Sequence, residues 1–171
     1  MVSIIANLTP VLNFIKYRRN LGKNIDYILD LGCGWGSVGE FIKESFPDIV
    51  IDGIDIDEYS VSRAIGRSIF GVPVYRAVYL EDLRKRRWNV NEYDLFLAIN
   101  VFDKMSKEDA FKIINSLKGR LIICLPIKKS PQGAVFGNPF TEIVSFLEHS
   151  EIMEFASKCL MKGYVYGLYL V

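Results

Sequence analysis

Residues 28–39 read Ile-Leu-Asp-Leu-Gly-Cys-Gly-Trp-Gly-Ser-Val-Gly, and the fold turns on them. Upstream, Ile25–Leu31 is a short apolar run with the length of a buried strand. Downstream, Val38–Phe46 carries apolar residues at helical spacing until Pro47 stops them. Between the two lie Gly32, Gly34 and Gly36, which let the chain turn sharply and let a ligand approach the main chain with no Cβ in the way. Free amides at the following helix start add positive potential. Asp30, the last acid before the loop, sorts the ligands: a carboxylate there repels a pyrophosphate at short range and suits a ligand carrying an ammonium group. Gly34-x-Gly36-x-x-Gly39 does satisfy the dinucleotide spacing. In that motif, however, the first glycine directly follows the strand, which here is Gly32, and the third would fall on Ser37.

Working outward, the same alternation repeats. Thr9-Pro10 reads as an N-cap and first helical residue of a helix ending near Gly22. Ile49–Ile56 is a second strand, Asp57 to Phe70 a helix, Val72–Val78 a third strand and Tyr93–Ile99 a fourth. Ser106, with Asp109 three residues on, opens a helix in the manner of a capping box. Arg120–Leu125 is a fifth strand, helical signal returns between Pro139 and Lys162, and Tyr164–Val171 is a sixth strand. Apolar strands separated by helices predict an α/β fold: a doubly wound, mostly parallel sheet of six or seven strands with helices on both faces. Ligands of such sheets bind at the carboxyl ends of the strands.

At 171 residues, half of them hydrophobic, the chain has the size and core material of one domain. Its expected parts are an N-terminal helix (1–24), a ligand-binding core (25–125) and a substrate-side insert with the last strand (126–171). A net charge of +1 gives no global field for nucleic acid or an acidic membrane. No apolar run reaches membrane-spanning length, and Met1–Ala6 lacks the form of a signal peptide, so the expectation is a cytoplasmic protein. Cys33, Cys124 and Cys159 are spaced neither as a disulfide framework nor as a zinc site, and no metal is expected.

Asp30-x-Gly32-x-Gly34-x-Gly36, within Leu-Asp-Leu-Gly-Cys-Gly-Trp-Gly, resembles the first motif of class I S-adenosylmethionine-dependent methyltransferases. The resemblance implies S-adenosylmethionine as cofactor. Asp30, Gly32, Cys33, Gly34 and Gly36 would line its methionine end, with Cys33 contributing packing rather than its thiol. Asp55, ending Ile51-Asp-Gly-Ile-Asp-Ile-Asp57, falls where the family places the acid that grips the ribose hydroxyls, with Ile56 beside it. Its carboxylate is expected to pair with ligand rather than with the core, and Asp57 to cap the next helix. Val78–Leu83 aligns with a segment whose Asp faces the adenine amino group, but Tyr79 stands in that place. Glu81 or Asp82 takes over, or main-chain groups near Leu80 read the adenine alone. Asn100 falls beside the reactive methyl. The family commonly ends in a hairpin, and with only Tyr164–Val171 left after the last helix the count would be six strands.

The tail, Pro126 and Ser130-Pro-Gln-Gly-Ala-Val-Phe-Gly-Asn-Pro-Phe140, resembles a small-methyltransferase subgroup that often carries a His shortly beyond; Ile143 occupies that place here. Asn138-Pro139-Phe140 is similar to the signature of enzymes that methylate base amino groups, but it follows the fifth strand rather than the fourth and lacks the second Pro. Arg84-Lys-Arg-Arg-Trp88 and Lys128-Lys129 leave room for an anionic acceptor or nucleic acid, though the plainer role of the first run is a solvated loop. His149, the sole imidazole, is placed late in a helical stretch with a structural role. No catalytic base stands out. The implied activity is methyl transfer to an unidentified acceptor; the alternative is a catalytically inactive S-adenosylmethionine-binding or regulatory module.

Overall fold

Parallel strands need a crossover after each strand, and the chain supplies them in order. The computed structural model describes residues 8–87, 89–126, 138–162 and 166–171. Helix α1 (Thr9–Asn20) precedes β1 (Tyr27–Leu31), α2 (Ser37–Ser45), β2 (Val50–Asp55) and α3 (Glu58–Ile65). A small hairpin, β3 (Ser68–Ile69) with β4 (Val72–Pro73), leads to β5 (Ala77–Leu80) and β6 (Leu95–Ile99). Then come α4 (Lys107–Ser116), β7 (Leu121–Pro126), α5 (His149–Met153), β8 (Lys158–Lys162) and β9 (Tyr166–Leu170).

Seven strands form one sheet in the order β5-β2-β1-β6-β7-β9-β8. The first five are parallel, while β9 runs antiparallel to both β7 and β8. Chain order runs one way from β1 through β2 to β5 and the other way from β6 to β7, so the switch point falls between β1 and β6. Both faces are covered. On one, Leu29, Phe96 and Ile123 pack with Ile113 and Ile114 of α4 and Ile152 of α5. On the other, Ile28, Leu97 and Cys124 pack with Val11 and Ile15 of α1 and Ile42 of α2. This double burial is why the strands read as continuous apolar runs.

Two caps form as expected. Asp57 accepts from the Ser60 amide at 3.0 Å, and Ser106 Oγ accepts from the Asp109 amide at 3.1 Å. Four elements differ from expectation. Thr9 is already helical, with Leu8 at the N-cap. The helix expected to reach Phe70 stops at Ile65, because a hairpin turning at Phe70-Gly71 intervenes, both residues having positive φ (49° and 81°). The expected third strand, Val72–Val78, is consequently two elements, β4 and β5. Between Pro139 and Lys162 only a 3-10 turn and the five-residue α5 are helical, and Lys158–Lys162 is strand β8. That strand completes the closing hairpin, so the sheet has seven strands, the higher of the two expected counts. Among the described residues no helix is long and apolar enough to cross a membrane.

Candidate cofactor site

The glycine loop leaves β1 with Gly32, Gly34 and Gly36 at φ of 65°, 53° and 86°, the left-handed region that glycine enters without a Cβ clash. At Gly32 a Cβ would also lie 2.5 Å from Val101 Cγ2, which is how closely the loop passes the end of β6. Above Gly34 there is open space. The loop is fastened to β2: the Cys33 amide donates to Ile54 O at 2.9 Å, and the Gly34 amide donates to Asp55 Oδ2 at 2.8 Å.

Asp55 therefore holds the loop, and its Oδ1 also accepts from the Asp57 amide at 2.9 Å. The expectation that its carboxylate pairs only with ligand is corrected on this point. Burial raises its pKa, and the amides of Asp57 and Gly34 work against that rise. Asp30 is sealed in, 1% exposed. Its Oδ2 accepts from the Tyr75 hydroxyl at 2.7 Å, whereas Oδ1 is buried with no partner. Burial pushes its carboxyl up to about 7, the Tyr75 bond pulls downward, and Asp55 adds to the rise. Cys33 is buried, its Sγ close over Gly53, and burial raises its thiol. That is a packing environment.

The remaining expected residues line the carboxyl ends of neighbouring strands. Ile56 is half-buried after β2 and Leu80 is exposed at the end of β5. Glu81 accepts from Arg86 at 2.6 Å, and Asp82 takes both nitrogens of the Arg84 fork at 2.8 and 2.7 Å. The densest basic run thus pairs with the two acids before it, which lowers the Asp82 pKa. Trp88, Lys128, Lys129 and the Pro131-Gln132 element lie outside the described residues.

Asn100, directly after β6, has φ of 57°, a left-handed conformation uncommon for a non-glycine residue. Its Oδ1 is buried without a partner, as are Asp103 Oδ1 and Ser145 Oγ. Asp103 pairs with Lys104 at 2.9 Å through Oδ2, and its carbonyl accepts from the Ser145 amide at 3.1 Å. Four of the five buried, unpartnered side-chain atoms among the described residues (Asp30, Asn100, Asp103, Ser145) thus adjoin the ends of β1 and β6. Orphaned buried polar atoms are rare, and each calls for a partner.

His149 begins α5 instead of ending a helix, and its Nδ1 lies 2.8 Å from the Tyr169 hydroxyl. Asn138 caps a 3-10 turn by accepting from the Phe140 amide at 2.9 Å. Among the described residues no group of three His, Cys, Asp or Glu could hold a metal ion. Sequence reasoning missed Tyr75 and Asp103. Tyr75 falls within the expected strand Val72–Val78, and the turn signal at Gly71 is the local feature that separates it. Nothing local marks Asp103 as buried.

The sequence model of the methyltransferase domain matches residues 29–121, more than half of the chain. No curated protein matches it by sequence. Among solved structures, magnesium protoporphyrin IX methyltransferase (ChlM) from Synechocystis PCC 6803 with bound SAH aligns at a TM-score of 0.70, with 16% identity over 96% of this chain and 81% of that one. The plantazolicin methyltransferase BpumL in complex with SAH aligns at 0.64, with 18% identity over 91% of this chain and 64% of that one. The methyltransferase domain of bacterial CtHen1-CN aligns at 0.60, with 17% identity over 96% and 99%. In a further BpumL complex the chain spans only 47% of its counterpart's length. At these identities the likeness shows the fold. Together, the match over the β1–α4 core and the glycine loop at the switch point make this chain a member of the methyltransferase-domain family, the class I S-adenosylmethionine-dependent methyltransferases.

Proposed function

We propose that residues 1–171 act as one domain that binds S-adenosylmethionine over the glycine loop and directs its methyl group to an acceptor at the end of β6. The observation that carries this is the loop itself: three left-handed glycines at the sheet's switch point, open above Gly34 and tied to the acid ending β2. The residues fit the cofactor. Asp30 Oδ1 lacks a partner, and an ammonium group would supply one. Each Asp55 oxygen accepts one amide, and a carboxylate oxygen accepts two bonds, leaving room for both ribose hydroxyls. Because Glu81 and Asp82 are engaged by arginines, main-chain groups around Leu80 are the better candidates to read the adenine.

The bound sulfonium supplies the electrophile. The chain's part is alignment: Asn100, pinned after β6 by its backbone amide donating a hydrogen bond to Cys124 O at 2.8 Å, holds the acceptor side. Asp103 and Ser145 offer it further hydrogen-bonding atoms. The acceptor is a small molecule or a macromolecular group, and the paired basic run gives little support to nucleic acid. A binding or regulatory module remains the second reading, favoured by one observation: the sole imidazole, His149, is occupied by Tyr169.

Calorimetry and thermal melting with S-adenosylmethionine and S-adenosylhomocysteine test the proposal. At 100 times Kd a ligand adds about 2.7 kcal/mol, which raises Tm by about 5–10 °C in a protein of this size. No heat and no shift with either compound would overturn it. Release of S-adenosylhomocysteine on turnover with any acceptor would exclude the regulatory reading.

A further inference from the structure

Tyr75 comes from the segment between the β3–β4 hairpin and β5, yet its side chain ends beneath the glycine loop. Three glycines make its space: a Cβ at Gly39 would lie 2.5 Å from its hydroxyl oxygen, one at Gly36 2.8 Å from Cε2, and one at Gly53 3.2 Å from Cδ1. Tyr75 is 6% exposed, and the single polar group it delivers there donates to Asp30 Oδ2 at 2.7 Å. A buried carboxylate with one hydrogen bond and one bare oxygen is costly when ionised.

The neighbouring charged groups offer little relief. Asp55 carries the same sign, and the Cys33 thiol is pushed up by burial and by both acids. Arg67, whose side chain passes Gly36, is committed to Glu40. The Tyr75 hydroxyl is the group that favours ionised Asp30, working against burial and Asp55; the carboxyl stands at about 7 with that bond in place.

Resting on the cofactor reading above, we propose that Tyr75 is a positioning residue: through its hydroxyl it holds the Asp30 carboxylate ionised and oriented, ready to accept the cationic end of the cofactor. Asp30 itself is the group that meets the ligand. Tyr75 acts through it.

The test uses the full chain as wild type, Tyr75→Phe and Asp30→Asn, with S-adenosylhomocysteine as probe, titrated calorimetrically from pH 6 to 9. Phe keeps the ring that fills the glycine pocket, so only the hydroxyl is lost. Wild-type affinity is expected to be flat above about pH 7.5 and to fall by up to about tenfold per unit below about pH 7. Tyr75→Phe should bind about 5- to 30-fold more weakly at pH 7 and recover towards wild type at pH 9, because its Asp30 ionises later. Asp30→Asn should bind weakly and without pH dependence across the range. A Tyr75→Phe protein that titrates like wild type, or one weakened equally at every pH, overturns the proposal; the former outcome means ring packing alone.

Melting of the ligand-free proteins against pH separates this inference from the cofactor reading. The inflection assigned to Asp30 should move to higher pH in Tyr75→Phe and vanish in Asp30→Asn. If wild type binds neither S-adenosylmethionine nor its product, the cofactor reading fails, while an unmoved inflection in Tyr75→Phe refutes the coupling itself.

Discussion

Asp55 and Asp57 are two residues apart and bear different loads. Asp55 takes the amides of Gly34 and Asp57, so Asp55→Ala should cost about 2–4 kcal/mol of cofactor affinity, roughly 30- to 1,000-fold. It should also cost about 1–2 kcal/mol of stability, as two loop amides lose an acceptor. Asp57→Ala, losing the cap to Ser60, should cost about 1 kcal/mol of stability and little affinity. Paired calorimetry and denaturant melts check both; an Asp57→Ala protein that cannot bind cofactor would move the ribose contact by two residues. Asp30 predicts a pH dependence of its own. Its folded pKa, about 7, lies above the ordinary 3.8, so the folded state holds a proton that the unfolded chain has released. Its contribution is therefore fully present below about pH 4 and is lost as pH rises through about 7. The loss is at most about 4 kcal/mol at 1.36 kcal/mol per unit. Asp30→Asn should accordingly stabilise the ligand-free protein at pH 8, measured as an increase in the urea midpoint.

The β3–β4 hairpin is the element that reshapes the region under the loop. It is short, its turn residue Phe70 is fully exposed, and its register pairs Ser68 with Pro73 and Ile69 with Val72. By ending α3 early it delivers Tyr75 under α2, where Gly36, Gly39 and Gly53 leave room for the ring. Glycine substitutions therefore separate two kinds of constraint. Gly53→Ala sets a Cβ 2.9 Å from Cys33 Sγ and 3.2 Å from Tyr75, inside packed surroundings, and should cost about 1–3 kcal/mol of stability by overpacking. Gly34→Ala meets open space but must hold φ of 53°, about 1–2 kcal/mol of backbone strain, and it puts a methyl where the ligand would lie. The expected outcome is a larger stability loss for Gly53→Ala and a larger affinity loss for Gly34→Ala. Thermal melts and titration of the two variants decide it.

Across the whole molecule, protection should follow the sheet order. β1, β6 and β7 are each paired on both sides and buried on both faces, so their amides should exchange slowest, at the global unfolding free energy. Hairpin β3–β4 stands outside the seven-stranded sheet and should exchange by local opening, orders of magnitude faster. Amide hydrogen exchange read by mass spectrometry checks the ranking; equal protection of the hairpin and β6 would contradict it. Closure at the other edge is antiparallel: β9 inserts between β7 and β8, and the Val171 carbonyl accepts from the Gly119 amide at 2.9 Å. The last residue described is thus part of the sheet's bonding.

Local sequence determined what short-range physics controls. Apolar runs long enough only for strands, caps at Asp57 and Ser106, and glycines alternating after Asp30 fix the strand–loop–helix unit and with it the doubly wound class, since each signal acts within a few residues. The family resemblance made Asp55 and Asn100 site candidates, at strand ends readable from where apolar runs stop. What local sequence left open depended on partners distant in the chain. Lys158–Lys162 is a strand because β9 offers an edge to pair with, and pairing overrides a weak local preference. Glu81, Asp82 and His149 lost their availability to Arg86, Arg84 and Tyr169. Asp30, expected to face the ligand, is also buried, one oxygen held by a tyrosine 45 residues away and the other left without a partner. Burial and the resulting charge state are properties of packing among remote segments, so only the tertiary structure could decide them.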